Sequence, residues 1–407
     1  MVDIISSAAR VADGEFLPKF RRRYMLETLG RNRFGMYMGE EDSHAIQYIY
    51  DNKDDGESIQ LNFLREIDDM GVAGGMRLRG VEATPQREKM ILRWEYQRNA
   101  TGLKKSEEKK SIVELAPQIN ELFQKWSKRM MRYRIVDALR MVAPDKTFSA
   151  PKYSISASKV LAGFPALVQP TSTVAPASAE TAAWLANNQD RILFGADDAN
   201  FSSTANLSTN LGNVSGAGEG ATLSLLRRAH DRAKNSSPFI EPLYWAERDA
   251  SYFVAFCDSF SFRQLQLELQ TINTNAQARE GNAYDRNPIA TGSDMIYDGL
   301  IITEIPDIKP LVLDGAVWRD RVETDSSEIK ATSKGQIYIC GRQSVAVGIA
   351  QEPKVITDRD DYDFIKGTGI EEALSVNKFQ RQDLTTTTKY VDFGMVTAFT
   401  DATQQQA

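Results

Sequence analysis

Residues 76–96 read MRLRGVEATPQREKMILRWEY. Met76 and Leu78, then Met90, Leu92, Trp94 and Tyr96, alternate with charged or polar residues on either side of a polar turn at Ala83-Thr84-Pro85-Gln86. A period of two predicts two strands, each with one dry face and one wet face. An isolated hairpin is only marginally stable in water. Its apolar face must lie on something, and what that is decides the architecture.

The surrounding chain sharpens the question. In SIQLNFL, Ile59, Leu61 and Phe63 alternate with Gln60 and Asn62, ahead of the glycine-bearing GVAGG at 71–75. From Ser43 to Tyr96 there are too few apolar positions for a separate core, so this excursion is expected to pack on a neighbour. Residues 1–35 read as an arm: PKFRRRYMLETLGRNRF carries Lys19, Arg21, Arg22, Arg23, Arg31 and Arg33 against one acid, Glu27, with Phe20, Tyr24 and Phe34 interleaved. Such an arm can follow a nucleic-acid backbone and stack on bases, or it can pair with acidic neighbours.

Downstream lies the longest helical signal. Ile112, Leu115, Ile119, Leu122, Trp126, Met130 and Tyr133 recur at three or four residues, predicting a helix with one face on a core. Pro117 marks either a kink or the first turn, and Pro144 closes the segment. Residues 150–220 are small and polar, predicted as loops with one short helix at about 179–189. ATLSLLRRAHDRAKNSS is then helical, with Leu223, Leu226, Ala229 and Ala233 on one side and His230 on the polar side. SYFVAFCDSF, MIYDGLIITEI, GQIYICGRQSVAVGIAQ and KYVDFGMVTAFTDA read as strands, and FRQLQLELQTINTNAQAR as a helix. The expected class is α+β.

Bulk properties narrow the function. With 49 basic and 55 acidic side chains the formal charge is -6, which excludes a globally basic nucleic-acid binder and confines any such contact to the arm. No apolar run of about 18 residues could span a membrane, and the first residues lack a signal-peptide pattern, so a reducing cytoplasm is expected. Cys257 and Cys340 then read as buried free thiols.

Catalytic patterns are weak. The chain has two histidines, His44 among acids in EEDSHAIQ and His230 in its helix, and no nucleophile elbow or HExxH. TDRDDYDF fails as a calcium loop, because Asp363 replaces the required glycine and Gly369 the closing acid, and it reads instead as a solvated loop or an ion-paired patch between subunits. GAGEG at 216–220 does not match a phosphate loop. No metal, cofactor or enzymatic activity is expected.

The order of parts, together with YWAERDASYFVAFCDSFSFRQLQLE at 244–268, NPIATGSDMIYDGLIITEIPDI at 287–308, CGRQSVAVGIAQ at 340–351 and DFGMVTAFTDA at 392–402, resembles tailed-phage major capsid proteins of the Hong Kong 97-type fold. The detail is most similar to the group typified by coliphage N-four, in Asn287-Pro288, Gly292 and Tyr297-Asp298-Gly299. The resemblance implies an N-terminal arm at 1–35, an extended loop at 36–100, a peripheral domain with its spine helix at 101–150, an axial domain with parts of the peripheral one at 151–350, and peripheral strands at 351–407. It implies pentamers and hexamers of an icosahedral head around double-stranded DNA, in which Ile59, Leu61, Phe63, Met76, Leu78, Leu92, Trp94 and Tyr96 lie on an adjacent copy. The basic arm would clamp neighbours or face non-specifically bound DNA. The partners implied are further copies, a portal, a decoration protein placed over the polar 195–220 segment, and a separate scaffolding protein, since no long charged extension precedes the arm. Assembly would occur in the host cytoplasm, with no membrane partner. The alternatives are a nucleic-acid-binding protein using the arm and a carboxylate-dependent enzyme.

Overall fold

The computed structural model of the chain describes residues 33–41, 43–50, 58–64, 71–75, 77, 79–80, 82, 87–104, 116–141, 152–153, 161–162, 179–216, 218–245, 250–277, 294–314, 317–321, 332–360, 364–382 and 390–402. Lys19, Arg21, Arg22, Arg23, Arg31, Met76 and Leu78 lie outside them.

A nine-stranded sheet forms the body. It runs Met295–Tyr297 (β11), Leu300–Glu304 (β12), Ala250–Cys257 (β10), Lys334–Cys340 (β15), Leu311–Asp314 (β13) and Val317–Asp320 (β14). Met395–Asp401 (β20) lies beside β15, Ile192–Phe194 (β8) beside β20, and Leu243–Trp245 (β9) beside β10. Every residue of β15 and β20 is buried, because both faces of the sheet are covered. Val254, Phe256, Tyr338, Cys340 and Met395 meet helix Ala116–Arg140 (α1) on one face. Phe253, Ala255, Cys257, Ile337 and Ile339 meet Leu223–Asn235 (α4) and Ser259–Gln277 (α5) on the other. Asp258 caps α5, its Oδ2 accepting from the backbone N–H of Phe260 at 3.1 Å and of Ser261 at 3.2 Å.

A second sheet stands against α1, in the order Met38–Gly39 (β1), Ile46–Tyr50 (β2), Val345–Asp360 (β16), Ile365–Lys378 (β17), Glu95–Lys104 (β5). Four short strands, Tyr390–Asp392 (β19), Gln380–Gln382 (β18), Arg87–Arg93 (β4) and Ser58–Leu64 (β3), make a third sheet, and Lys152–Tyr153 (β6) pairs with Leu161–Ala162 (β7). Residues 38–39, 46–50 and 95–100, expected in the extended loop, are thus in strands of the second sheet, and 395–401, expected with the peripheral strands, completes the body sheet.

The spine helix forms, but its buried stripe is rotated by about one residue from the predicted one. Phe123, Ser127, Met131, Arg134, Ile135 and Ala138 face inward, while Leu122 is 62% exposed. The displaced stripe includes polar residues that a hydrophobic count passes over: Ser127 donates to Glu372 of β17 at 2.9 Å, and Arg134 attracts the same carboxylate. Burial pushes the Glu372 pKa up, against these two stabilising neighbours.

The polar 195–220 segment is not loop alone. It holds a 3-10 turn at Asp198–Asn200 and the helix Leu207–Asn213 (α3), capped by Asn206. Leu207, Leu211 and Val214 join Trp184 of Ala179–Asn187 (α2), Phe194, Trp318 and Phe399 in a compact cluster. Asp198 holds Arg228 and, at 2.7 Å, Arg232 of α4. Gly195 has a φ of 66° and no room for a Cβ, because Glu219 sits against it and accepts from Ala196 N at 2.7 Å. Small polar residues therefore build caps and turns around a few large apolar anchors.

Candidate assembly surface

The hairpin pairs different runs from those expected. β3 lies antiparallel to β4, with Ile59 opposite Leu92, Leu61 opposite Met90 and Phe63 opposite Glu88. SIQLNFL is a partner of REKMILR, and Met76 and Leu78 of MRLRG lie outside the described residues. Arg77 is in no strand.

Its apolar face is covered differently too. Met90 and Leu92 are buried in the single chain with Ala346 and Phe379, and Ile49, Ile59, Leu61, Phe63 and Phe393 pack around them. Leu92, expected to lie on an adjacent copy, is instead buried within this chain, while Ile59, Leu61 and Phe63 are half-buried beside it. Gly348 makes the approach possible, since a Cβ there would sit 3.3 Å from Ile59 Cδ1. Phe63 meets the Phe379 and Phe393 rings with centroids 6.1 Å away in each case. Glu88 and Arg381 close the edge at 3.3 Å, and the Arg381 guanidinium lies 4.2 Å from the Phe393 ring centroid.

Beyond this root the surface changes. Leu64, at the end of β3, is 71% exposed. The run from Met90 to Tyr96 is broken at Trp94, where the chain leaves β4 for β5 in another sheet, and the alternation loses its phase: Leu92 and Gln97 are buried while Tyr96 is exposed. Trp94 is half-buried, its ring edge-on to Tyr96 with centroids 5.6 Å apart. Ile356 and Phe364, near the outer ends of β16 and β17, are also exposed, and sequence reasoning did not single them out. Their signal was an apolar residue in a charged strand, which alternation alone cannot tell from a packed one. Asp358 lies on exposed β16 rather than in a loop.

The arm enters the body at Phe34, whose ring meets Phe256 edge-on with centroids 5.1 Å apart and is fully buried. Tyr37 hydroxyl pairs with Thr303 at 3.1 Å, and burial raises its pKa to about 12. Arg33, half-exposed, is 3.8 Å from Glu304, so this basic residue serves the arm's anchorage.

His230 corrects its expected place on a polar face. It is 7% exposed, its ring 5.4 Å from that of Phe253, because the β11–β12 turn closes over it. Burial lowers its pKa, and Lys234 adds to the effect. Among the described residues no three His, Cys, Asp or Glu side chains are grouped to hold a metal, and no helix is long and apolar enough to cross a membrane.

These layers, a projecting hairpin, a spine helix on a long-stranded sheet, and a helix-covered body, are the α+β fold of Hong Kong 97-type capsid proteins. The sequence model of the family described as "Phage capsid protein" matches residues 9–403, and the chain belongs to that family. Among solved structures it is similar to the cyanophage Pam1 capsid asymmetric unit, with a TM-score of 0.71 and 20% identity over 100% of this chain and 97% of that one. It is also similar to the capsid of Ralstonia phage GP4, with a TM-score of 0.61 and 13% identity over 100% and 97%, and to the acid-stable capsid of Helicobacter pylori bacteriophage KHP30, with 0.58 and 11% over 98% and 95%. No curated protein compared with it matches.

Proposed function

We propose that this chain is the major subunit of an icosahedral phage head, forming pentamers and hexamers around double-stranded DNA. The observation that carries the reading is the contrast between a closed interior and projecting strands that keep large apolar side chains in water at Leu64, Tyr96, Ile356 and Phe364. Unlike patches meeting between identical subunits make rings. In this reading the outer hairpin, with Met76 and Leu78 and the exposed Tyr96, lies across the adjacent copy, while its root stays at home. Residues 101–150 with the outer parts of β16 and β17 act as peripheral domain, and the body within 151–350 as axial domain.

The arm with Lys19, Arg21, Arg22, Arg23 and Arg31 supplies the positive charge for the inner surface and its DNA, in an otherwise acidic chain. A scaffolding protein, a portal and a decoration protein complete the proposed partners, with assembly in the host cytoplasm. The motifs at 244–268, 287–308, 340–351 and 392–402 support a place in the N-four-like group. Electron microscopy of the purified protein tests the reading: rings of five and six or closed shells are expected, and a lone monomer at every concentration overturns it. Efficient shell formation by this chain alone would remove the scaffolding protein.

A further inference from the structure

Between the C-terminal half of α4 and the β11–β12 turn lies a cleft of about 440 Å³. Phe239, Ile240 and Phe253 give it apolar walls, with Lys234 and Asp298 as its charged groups and His230 facing it. The His230 side chain is more than nine-tenths buried, and Asp298 Oδ2 stands 3.9 Å from its Nδ1, beyond hydrogen-bond reach. An occupant that excludes water from the imidazole without bonding to it would leave a polar group unsatisfied, so one that bonds to it is favoured.

The lining selects that occupant. Lys234 and Asp298 carry opposite charges, so an ion attracted by one is repelled by the other. A backbone amide offers a donor and an acceptor together and suits both. The apolar walls take one bulky aliphatic or aromatic side chain, and the volume falls in the usual range for small binding sites, ~300–1,000 Å³. The fitting ligand is a neutral, extended peptide with a large apolar residue.

This chain displays such a segment. β11 pairs with β12 on one side and ends the sheet, with no strand on its other edge among the described residues. Its middle residue, Ile296, is 70% exposed. Ile296 is in register with Ile301, which packs towards α1, whereas the cleft opens beside Phe253 on the opposite face. A copy cannot place its own Ile296 in its own cleft, so any such contact is between copies, and where it is head-to-tail it can close a ring.

We propose that the cleft is the socket of a head-to-tail contact between copies, filled by the Ile296-bearing edge of β11 from the next copy. Phe239 and Tyr244, both exposed, border it, Tyr244 standing in register with the cleft-lining Ser251. The contact rests on the assembly reading above and names two of its surfaces.

Ile296→Asp tests it without touching the fold, because the side chain is mostly in water within one copy. Far-UV circular dichroism and melting temperature should match the unsubstituted chain, while particle yield falls at least tenfold. In Phe239→Cys with Ile296→Cys, oxidised particles should show a ladder of disulfide-linked chains that neither single variant gives, since Cys257 and Cys340 are buried. Ordinary yield from Ile296→Asp, or double-variant particles without linked chains, overturns the proposal. If the unsubstituted chain makes no oligomer, the assembly reading falls and takes this contact with it; normal particles lacking the disulfide bring down the contact alone.

Discussion

The two ends of β17 occupy opposite environments. At Phe364, just before the strand, the side chain is 42% exposed, whereas Lys378 at its far end is wholly buried. The Lys378 ammonium is 2.8 Å from Asp392, whose carboxylate also accepts from Trp184 Nε1 at 3.0 Å and Gln380 Nε2 at 2.8 Å, while Asn188 accepts from the Asp392 backbone N–H at 2.7 Å. Burial lowers the Lys378 pKa and Asp392 opposes that shift. One continuous strand thus runs from a network in which charge is matched by charge to a surface that remains unsatisfied until something covers it. The first end concerns folding; the second concerns association.

The sharpest way to break this contrast is Asp392→Ala, which strands a buried ammonium and two donors. A loss of about 3–5 kcal/mol is expected, read by denaturant unfolding of the subunit; a change below about 1 kcal/mol would show that the junction does not hold the body together. Leu92→Ala should cost about 2–5 kcal/mol. The same measurement decides who covers the hairpin root, because a residue sheltered only by another copy would leave subunit stability unchanged.

That second prediction marks where the sequence could be read and where it could not. Helix α1, strands β10, β15 and β20 and the buried thiols follow from periodicity, since long apolar patterns survive any tertiary arrangement. The cover on Leu92 does not. It is assembled from Ala346, Gly348, Phe379 and Phe393, some 250 to 300 positions away, by strand order alone. Likewise the inward face of α1 holds Ser127 and Arg134 because Glu372 lies opposite, a reciprocity that neither segment announces by itself. Leu64, Ile356 and Phe364 remained invisible for the converse reason: exposure is a property of what is missing beside a residue.

Glu372→Gln sharpens the contrast from the buried side. Burial raises the Glu372 pKa above that of the unfolded chain, so the native state holds this proton more tightly. Its contribution to stability is present in full below the unfolded value, about 4.3, and is lost as pH rises through the folded value. Stability of the unsubstituted subunit should therefore fall, from this group, as pH rises above the unfolded value, and the glutamine variant should lose that slope. An identical slope in both would assign the pH dependence elsewhere.

Leu64→Asp asks for the smallest change in the subunit and tests the other end of the contrast. The side chain is already 71% in water, so the folded chain gains no buried charge and stability should stay within about 0.5 kcal/mol. In an assembly, the same carboxylate would have to be desolvated against an apolar surface of the next copy, at a cost of about 1–3 kcal/mol for each unpaired group, repeated at every equivalent contact. Particle yield, measured by sedimentation, should collapse while the melting curve of the subunit is unaltered. Normal particles would place the hairpin's outer half in solvent within the shell, and the exposed apolar ends of β16 and β17 would then have to carry the association without it.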